Sequence, residues 1–109
     1  MSIALAAQEK AEELSKKAEV RRAQRDDDLR EVMRTRAGRR FLWDTIERVC
    51  AVHSGTFADQ HAVASYAEGR RAVGLELMQA AQMVDRGAYF LMLREYLEDL
   101  ELELSNPSA

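Results

Sequence analysis

The sequence predicts an all-α protein, and three observations support this. Of 109 residues only five are glycine and one is proline, so the residues that form tight turns between strands are scarce. Aromatic residues make up only 6% of the chain, which argues against an all-β sandwich or barrel. Apolar residues recur at helical spacing in several segments. We expect a small helical bundle with a long N-terminal helix or projecting helical arm.

The length fits one domain with its own core. No stretch approaches the roughly 18 consecutive apolar residues of a membrane span, and acidic residues follow the N-terminus too closely for a signal peptide. The single cysteine, Cys50, has no partner for an internal disulfide, which fits a reducing compartment. These features predict a soluble protein that is not exported.

Residues 4–25 predict a helix, because they are rich in Ala, Glu, Lys, Gln and Arg and contain neither Gly nor Pro. Apolar residues in this segment recur at alternating spacings of three and four residues, which is typical of the seam of a coiled coil. The seam is short, because Arg21 and Arg25 occupy its next positions. Burying so small a seam stabilises a helix too little for it to stand alone. The segment is therefore an assembly arm or a solvated helix that frays. The seam consists of Ala4, Ala7, Ala11, Leu14 and Ala18.

Three aspartates, Asp26 to Asp28, follow this segment and allow two interpretations. Aspartate before an apolar run favours a new helix start, whereas one continuous helix over residues 4–34 would span about 46 Å. Such a helix would project beyond a compact domain of this size, whose radius of gyration is about 13 Å. We divide the chain into an arm, residues 1–25, and a helical bundle domain, residues 26–109.

Three further helices are predicted in the bundle. Thr35 is the expected N-cap of the first, about residues 36–52, which buries one apolar face with Trp43 at its edge. A loop at residues 53–57 and a cap at Asp59 precede the second, residues 60–84. A turn at residues 85–87 leads to the last, residues 88–104. The expected inward residues are Leu42, Ile46, Val49 and Cys50, then Val63, Tyr66, Ala67, Val73, Leu77, Ala81 and Val84, then Tyr89, Met92, Leu93, Tyr96, Leu97, Leu100 and Leu104.

Gly69 and Gly74 lie inside the second of these helices, where each costs about 1 kcal/mol relative to alanine. We expect close packing at both positions, against another backbone or a large side chain such as Trp43.

Candidate catalytic and metal-binding residues have simpler structural explanations. Glu68 beside Arg70 and Arg71 is more typical of an ion-pair network, which here would reach Arg39, Arg40, Asp44 or Glu47. The only metal-like cluster lacks paired cysteines or histidines at ligand spacing. We expect no enzyme activity, no metal and no cofactor. The cluster consists of Cys50, His53, Asp59 and His61.

Charge is unevenly distributed along the chain. Thirteen arginines accompany only three lysines, and the five charged residues after Arg94 are all acidic. Binding of nucleic acid through a stripe of basic residues is thus an alternative function. Aspartates interrupt the stripe, however, and no recognition helix or stacking platform is evident. The stripe consists of Arg21, Arg22, Arg25, Arg30, Arg34, Arg36, Arg39 and Arg40.

Three motifs together resemble a family of small proteins encoded by tailed bacteriophages, often in the structural gene region of short-tailed phages. They are TRAGRRFLW at residues 35–43, SGTF at 54–57 and EGRRAVGL at 68–75, followed by Ala88 and Tyr89. The resemblance covers about residues 27–96 and leaves the arm and the acidic tail outside. It implies a virion or assembly component rather than an enzyme.

The expected function is binding, as a virion structural protein at or near the portal vertex. The protein would be a connector or adaptor subunit, or an internal protein attached to the portal. Its partners would be the portal or other virion proteins and further copies of itself, with possible contact to packaged DNA. It would reside in the virion, and in the host cytoplasm during assembly.

A contact between copies would pair the Arg-rich segment of one with the acidic tail of the next. An Arg-rich phage nucleic-acid-associated protein, or an assembly protein not retained in the particle, is the alternative. The residues expected to carry the interactions are Arg39, Arg40, Trp43, Glu68, Gly69, Arg70, Arg71 and Gly74.

Overall fold

A computed structural model describes residues 2–53 and 61–106. For His61 it describes the backbone and not the side chain. Over these residues the chain forms four α-helices and no strand, which confirms the predicted fold class. The helices are α1 (Ile3–Val32), α2 (Arg36–Asp44), α3 (His61–Val84) and α4 (Arg86–Ser105), and a π-helical turn (Thr45–Val49) continues α2. The predicted loop residues 54–57 and the predicted cap Asp59 lie outside the described residues.

Helix α1 is continuous through the three aspartates. Asp27 accepts a hydrogen bond from Arg30 at 2.8 Å and Asp28 accepts one from Gln24 at 3.0 Å, so both carboxylates are satisfied along the helix itself. The Ser2 hydroxyl caps the N-terminus by accepting from the Leu5 backbone N–H. Thirty residues give a helix about 45 Å long.

The molecule is elongated because most of α1 lies outside the core. Its extents are 75 × 40 × 17 Å and its radius of gyration is 19.7 Å, against about 13 Å for a compact domain of this length. Residues 3–25 are all exposed, and within the described parts of the chain α1 contributes Leu29 and its C-cap residue Met33 to the core. The division at residue 25 itself stays a prediction.

The core lies among the end of α1, helix α2, the π-helical turn, and the facing parts of α3 and α4. Thr35 caps α2 as predicted, with its hydroxyl accepting from the Gly38 N–H at 3.0 Å. Trp43 is buried in this core, with 6% of its surface exposed. The buried residues are Met33, Leu42, Trp43, Ile46, Cys50, Val52, Ala81, Tyr89 and Met92.

The predicted burial of Val49 is wrong, and the π-helical turn explains why. The Thr45 hydroxyl donates to the Phe41 carbonyl, and the Cys50 N–H reaches back five residues to the Thr45 carbonyl. The wider turn shifts the phase of the helix, so Val49 faces solvent while Cys50 and Val52 face the core.

The predicted apolar faces of α3 and α4 are only partly used. In α3 burial is confined to the second half, and Val63, Tyr66 and Val73 are exposed. In α4, which begins directly after its cap residue Asp85, the packed residues run from Ala88 to Tyr96. Leu97, Leu100 and Leu104 are exposed, contrary to the expectation of one buried face.

Candidate interaction site

An arginine–carboxylate cluster holds α2 to α4. Arg39 Nε donates to Glu95 Oε1 at 2.5 Å and Arg39 Nη1 donates to the Met33 carbonyl at 2.9 Å. The Arg39 guanidinium therefore connects the C-terminus of α1 to α2 and α4, and it supplies a hydrogen-bond donor to a carbonyl at the end of α1. The side chains of Arg39 and Glu95 are each only 12% exposed. The hydrogen bond from Arg39 is the main reason that the pKa of Glu95 lies below its usual range.

Arg36 extends this cluster along α4. Its guanidinium lies 3.4 Å from Glu95 Oε2 and 3.2 Å from Asp99 Oδ1. Part of the Arg-rich segment and part of the acidic tail thus pair within one chain. Arg40, in contrast, is exposed and makes no ion pair with any residue that the structure describes.

Trp43 packs between Tyr96 and His53, with ring centroids 5.3 and 6.1 Å away. Its indole Nε1 is buried without an acceptor among the described residues. Beside Trp43, a cleft of about 300 Å³ opens between α2 and α4, with Met92, Tyr96 and Leu100 as apolar lining. The charged lining is Arg36, Arg39, Arg40, Asp44, Glu47, Glu95, Asp99 and Glu103.

The second Arg-Arg motif does not join the first. Arg71 Nε donates to the Val52 carbonyl at 3.0 Å, which fixes the chain after the π-helical turn against α3. Arg70 lies over the Tyr66 ring at 5.7 Å from its centroid. Glu68 is exposed and forms no ion pair within the described parts of the chain. The predicted network between the two motifs is therefore wrong: Asp44 pairs with Arg48, and Glu47 with His53.

Close packing occurs at Gly74 and not at Gly69. A Cβ added at Gly74 would lie 2.6 Å from Cys50 Cβ and would also collide with Val52, whereas one added at Gly69 would meet nothing within 4 Å. The neighbour is thus the segment after the π-helical turn and not Trp43. Glycine is similarly required at position 38, which the sequence analysis does not single out, because a Cβ there would collide with the Val32 carbonyl.

The structure describes two side chains of the metal-like cluster, those of Cys50 and His53. Cys50 is buried in the core and His53 pairs with Glu47. The described residues include no group of three or more potential ligands. Asp59 and the side chain of His61 lie outside them.

Four of the eight arginines of the basic stripe form ion pairs within the part of the chain that the structure describes. Arg30 pairs with Asp27 and Arg34 with Glu31, in addition to the pairs of Arg36 and Arg39. The arginines without an acidic partner in the described structure are Arg21, Arg22, Arg25 and Arg40.

The arm presents its seam entirely to solvent. Every residue of the seam defined above, from Ala4 to Ala18, is exposed, and Leu14 is 57% exposed. None of the described helices is long and apolar enough to cross a membrane.

The fold and these contacts define a small all-α protein with a packed body and an uncovered helical arm. The chain belongs to the Bbp19-like phage protein family, whose model matches residues 29–94. This confirms the resemblance to phage proteins, and the matched segment holds all three motifs and leaves out the arm. No curated protein and no solved structure shows significant similarity to the chain.

Proposed function

We propose that this protein is a structural component of a tailed-phage virion that acts by binding other proteins through α1. Its place would be at or near the portal vertex, as a connector or adaptor subunit or as an internal protein attached to the portal. Its partners would be the portal or other virion proteins and further copies of itself. It would reach the virion from the host cytoplasm during assembly, and its role would need neither catalysis nor a cofactor.

The exposure of α1 is the observation that carries this proposal. An isolated helix is marginal in water unless an apolar face is covered, and most helical stability in proteins comes from such packing. Residues 3–25 are exposed and contribute nothing to the core that the structure describes, yet they carry apolar side chains such as Ile3, Leu14 and Val20. A helix of this kind is stabilised when another protein surface covers it. Membership of a phage protein family supports the particle as the setting.

Quantitative mass spectrometry of purified phage particles tests the location. We expect a fixed copy ratio to the portal subunit, near one or a small multiple, because portal-vertex components follow a closed symmetry. Absence of the chain from purified particles would refute a virion role and favour an assembly protein that is not retained.

A chain lacking residues 2–25 tests the role of the arm. We expect it to fold, because the core begins at Leu29, but to be lost from particles. The control measurement is its thermal unfolding, which should remain cooperative. Normal incorporation of the truncated chain would show that the arm is not the binding element.

Association with nucleic acid is the second candidate function. Arg21, Arg22 and Arg25 have no acidic partner in the described structure and lie together near one end of the exposed helix. If they bind phosphates, affinity for DNA should fall steeply with salt, and replacing all three by glutamine should abolish it. Arg34→Gln is the matched control, because Arg34 is already paired with Glu31.

A further inference from the structure

Helix α4 carries an apolar stripe that its own chain leaves mostly uncovered. Phe90, Leu97 and Leu104 are 56%, 59% and 75% exposed, and Leu100 borders the cleft beside Trp43. With the partly buried Leu93, these residues follow spacings of three, four, three and four, so they lie along one line on the helix. We call Phe90, Leu93, Leu97, Leu100 and Leu104 the α4 seam.

The α4 seam matches the α1 seam in spacing and in length. Each covers 14 residue steps, about 21 Å of helix, and adding 86 to each α1 seam position gives the corresponding α4 position. The α1 seam is mainly alanine, whereas the α4 seam is leucine and phenylalanine. Small residues opposite large ones allow two helices to interdigitate without voids.

The residues flanking the two seams have complementary charge. In a parallel pairing with Ala4 opposite Phe90, heptad geometry places Lys10 beside Glu101 and Arg22 beside Glu103. None of these four side chains forms an ion pair with another residue that the structure describes. An antiparallel pairing would instead separate the basic end of the α1 helix from the acidic end of α4.

We propose that the α1 seam of one copy packs in parallel on the α4 seam of a second copy. The two helices do not touch within one chain: among the described helices, α1 contacts α2 and α3. Each copy offers one α1 and one α4, so the contact joins two different surfaces and links copies into a reciprocal dimer, a larger ring or a chain. This inference rests on the proposed function and names the surface that the arm would cover.

Cysteine cross-linking in the full-length protein tests the pairing. In this register Leu14 lies opposite Leu100, so mixing a Leu14→Cys chain with a tagged Leu100→Cys chain and oxidising should give a mixed disulfide. Leu102→Cys is the matched control, because Leu102 is 68% exposed but lies off the seam. Each variant alone and the wild-type chain, with its buried Cys50, complete the controls. Equal cross-linking at positions 100 and 102, or a Leu14→Cys homodimer as the main product, would overturn the proposal.

Analytical ultracentrifugation of two leucine variants provides a second readout. Leu97→Glu on the seam should weaken self-association about tenfold or more, because it places a charge where an apolar contact forms. Leu102→Glu should leave self-association unchanged. Both positions are exposed, so helix content by circular dichroism should not differ between them. A wild-type chain that is monomeric at about 100 μM would refute the pairing.

Charge reversal tests the register. Glu103→Arg should weaken the association, and combining it with Arg22→Glu in the other chain should restore it. Absence of restoration would refute the parallel alignment.

Failure of this inference and failure of the proposed function give different results. A chain present in particles at a fixed ratio, but without the cross-link between positions 14 and 100, would overturn the pairing alone. A chain that forms the cross-link but is missing from particles would overturn the virion role alone.

Discussion

Two glycines in α3 allow the packing to be tested with one substitution made at two sites. Alanine at Gly74 would place its Cβ 2.6 Å from Cys50 Cβ and in collision with Val52. Cys50 Cβ is attached directly to the backbone and cannot move aside by a rotamer change, so the cost should be near the upper end of the 1–3 kcal/mol usual for overpacking. Helix propensity returns about 1 kcal/mol. We expect Gly74→Ala to be about 2 kcal/mol less stable than the wild type.

Gly69→Ala is the control in the same helix. An added methyl there meets nothing within 4 Å, so only the propensity gain remains and the variant should be about 1 kcal/mol more stable. In urea denaturation, analysed with the same dependence of the unfolding free energy on urea concentration for both variants, their free energies of unfolding should therefore differ by about 3 kcal/mol. Equal stability of Gly74→Ala and Gly69→Ala would show that α3 does not pack against the segment after the π-helical turn as described.

Three further predictions concern the body. Trp43→Ala should lower the free energy of unfolding by about 3–5 kcal/mol, whereas Phe41→Ala, at a 71% exposed neighbour, should change it little; equal melting of the two would refute the burial of Trp43. Glu95→Gln should cost about 1.5–3 kcal/mol at pH 7. Because Arg39 lowers the pKa of Glu95 in the folded state, that stabilisation is complete above the unfolded pKa of about 4.3 and is lost as pH falls through the folded value. The difference between wild type and Glu95→Gln should thus disappear by about pH 2, and a pH-independent difference in denaturant midpoints would contradict the ion pair. Ala51 has φ 52°, so Ala51→Gly should raise the free energy of unfolding by about 0.5–1 kcal/mol, and a loss of stability would contradict the left-handed conformation.

Local signals in the sequence predict helix content, the Thr35 cap and the long first helix well. These features depend on residues close together in the chain, such as an N-cap hydroxyl and the backbone N–H three positions later. The aspartates at 26–28 left the sequence interpretation open, because carboxylates favour a helix start but also pair with Gln24 and Arg30 inside a helix.

Contacts between helices could not be predicted in the same way. The partner of Arg39 is Glu95, 56 residues away, and nothing in the spacing of charges distinguishes it from Asp44 or Glu47. The burial of Val49 was predicted from a regular 3.6-residue period, which one wide turn at Thr45 is enough to break. The exposed seam of α4 has the same periodicity as a buried face, because periodicity shows that a face is apolar and not what covers it.

The family match covers the buried core, but it covers none of the α1 seam and only the first two residues of the α4 seam. Every buried residue, from Met33 to Met92, falls within the matched residues 29–94. The α1 seam lies wholly outside that segment, and Leu97, Leu100 and Leu104 of the α4 seam lie beyond its end. Family membership therefore bears on how the body folds, whereas the proposed pairing rests on residues of this chain alone. A relative can share the body and its packing at Gly74 without sharing the pairing between copies, so the cross-link between positions 14 and 100 must be measured on this protein itself.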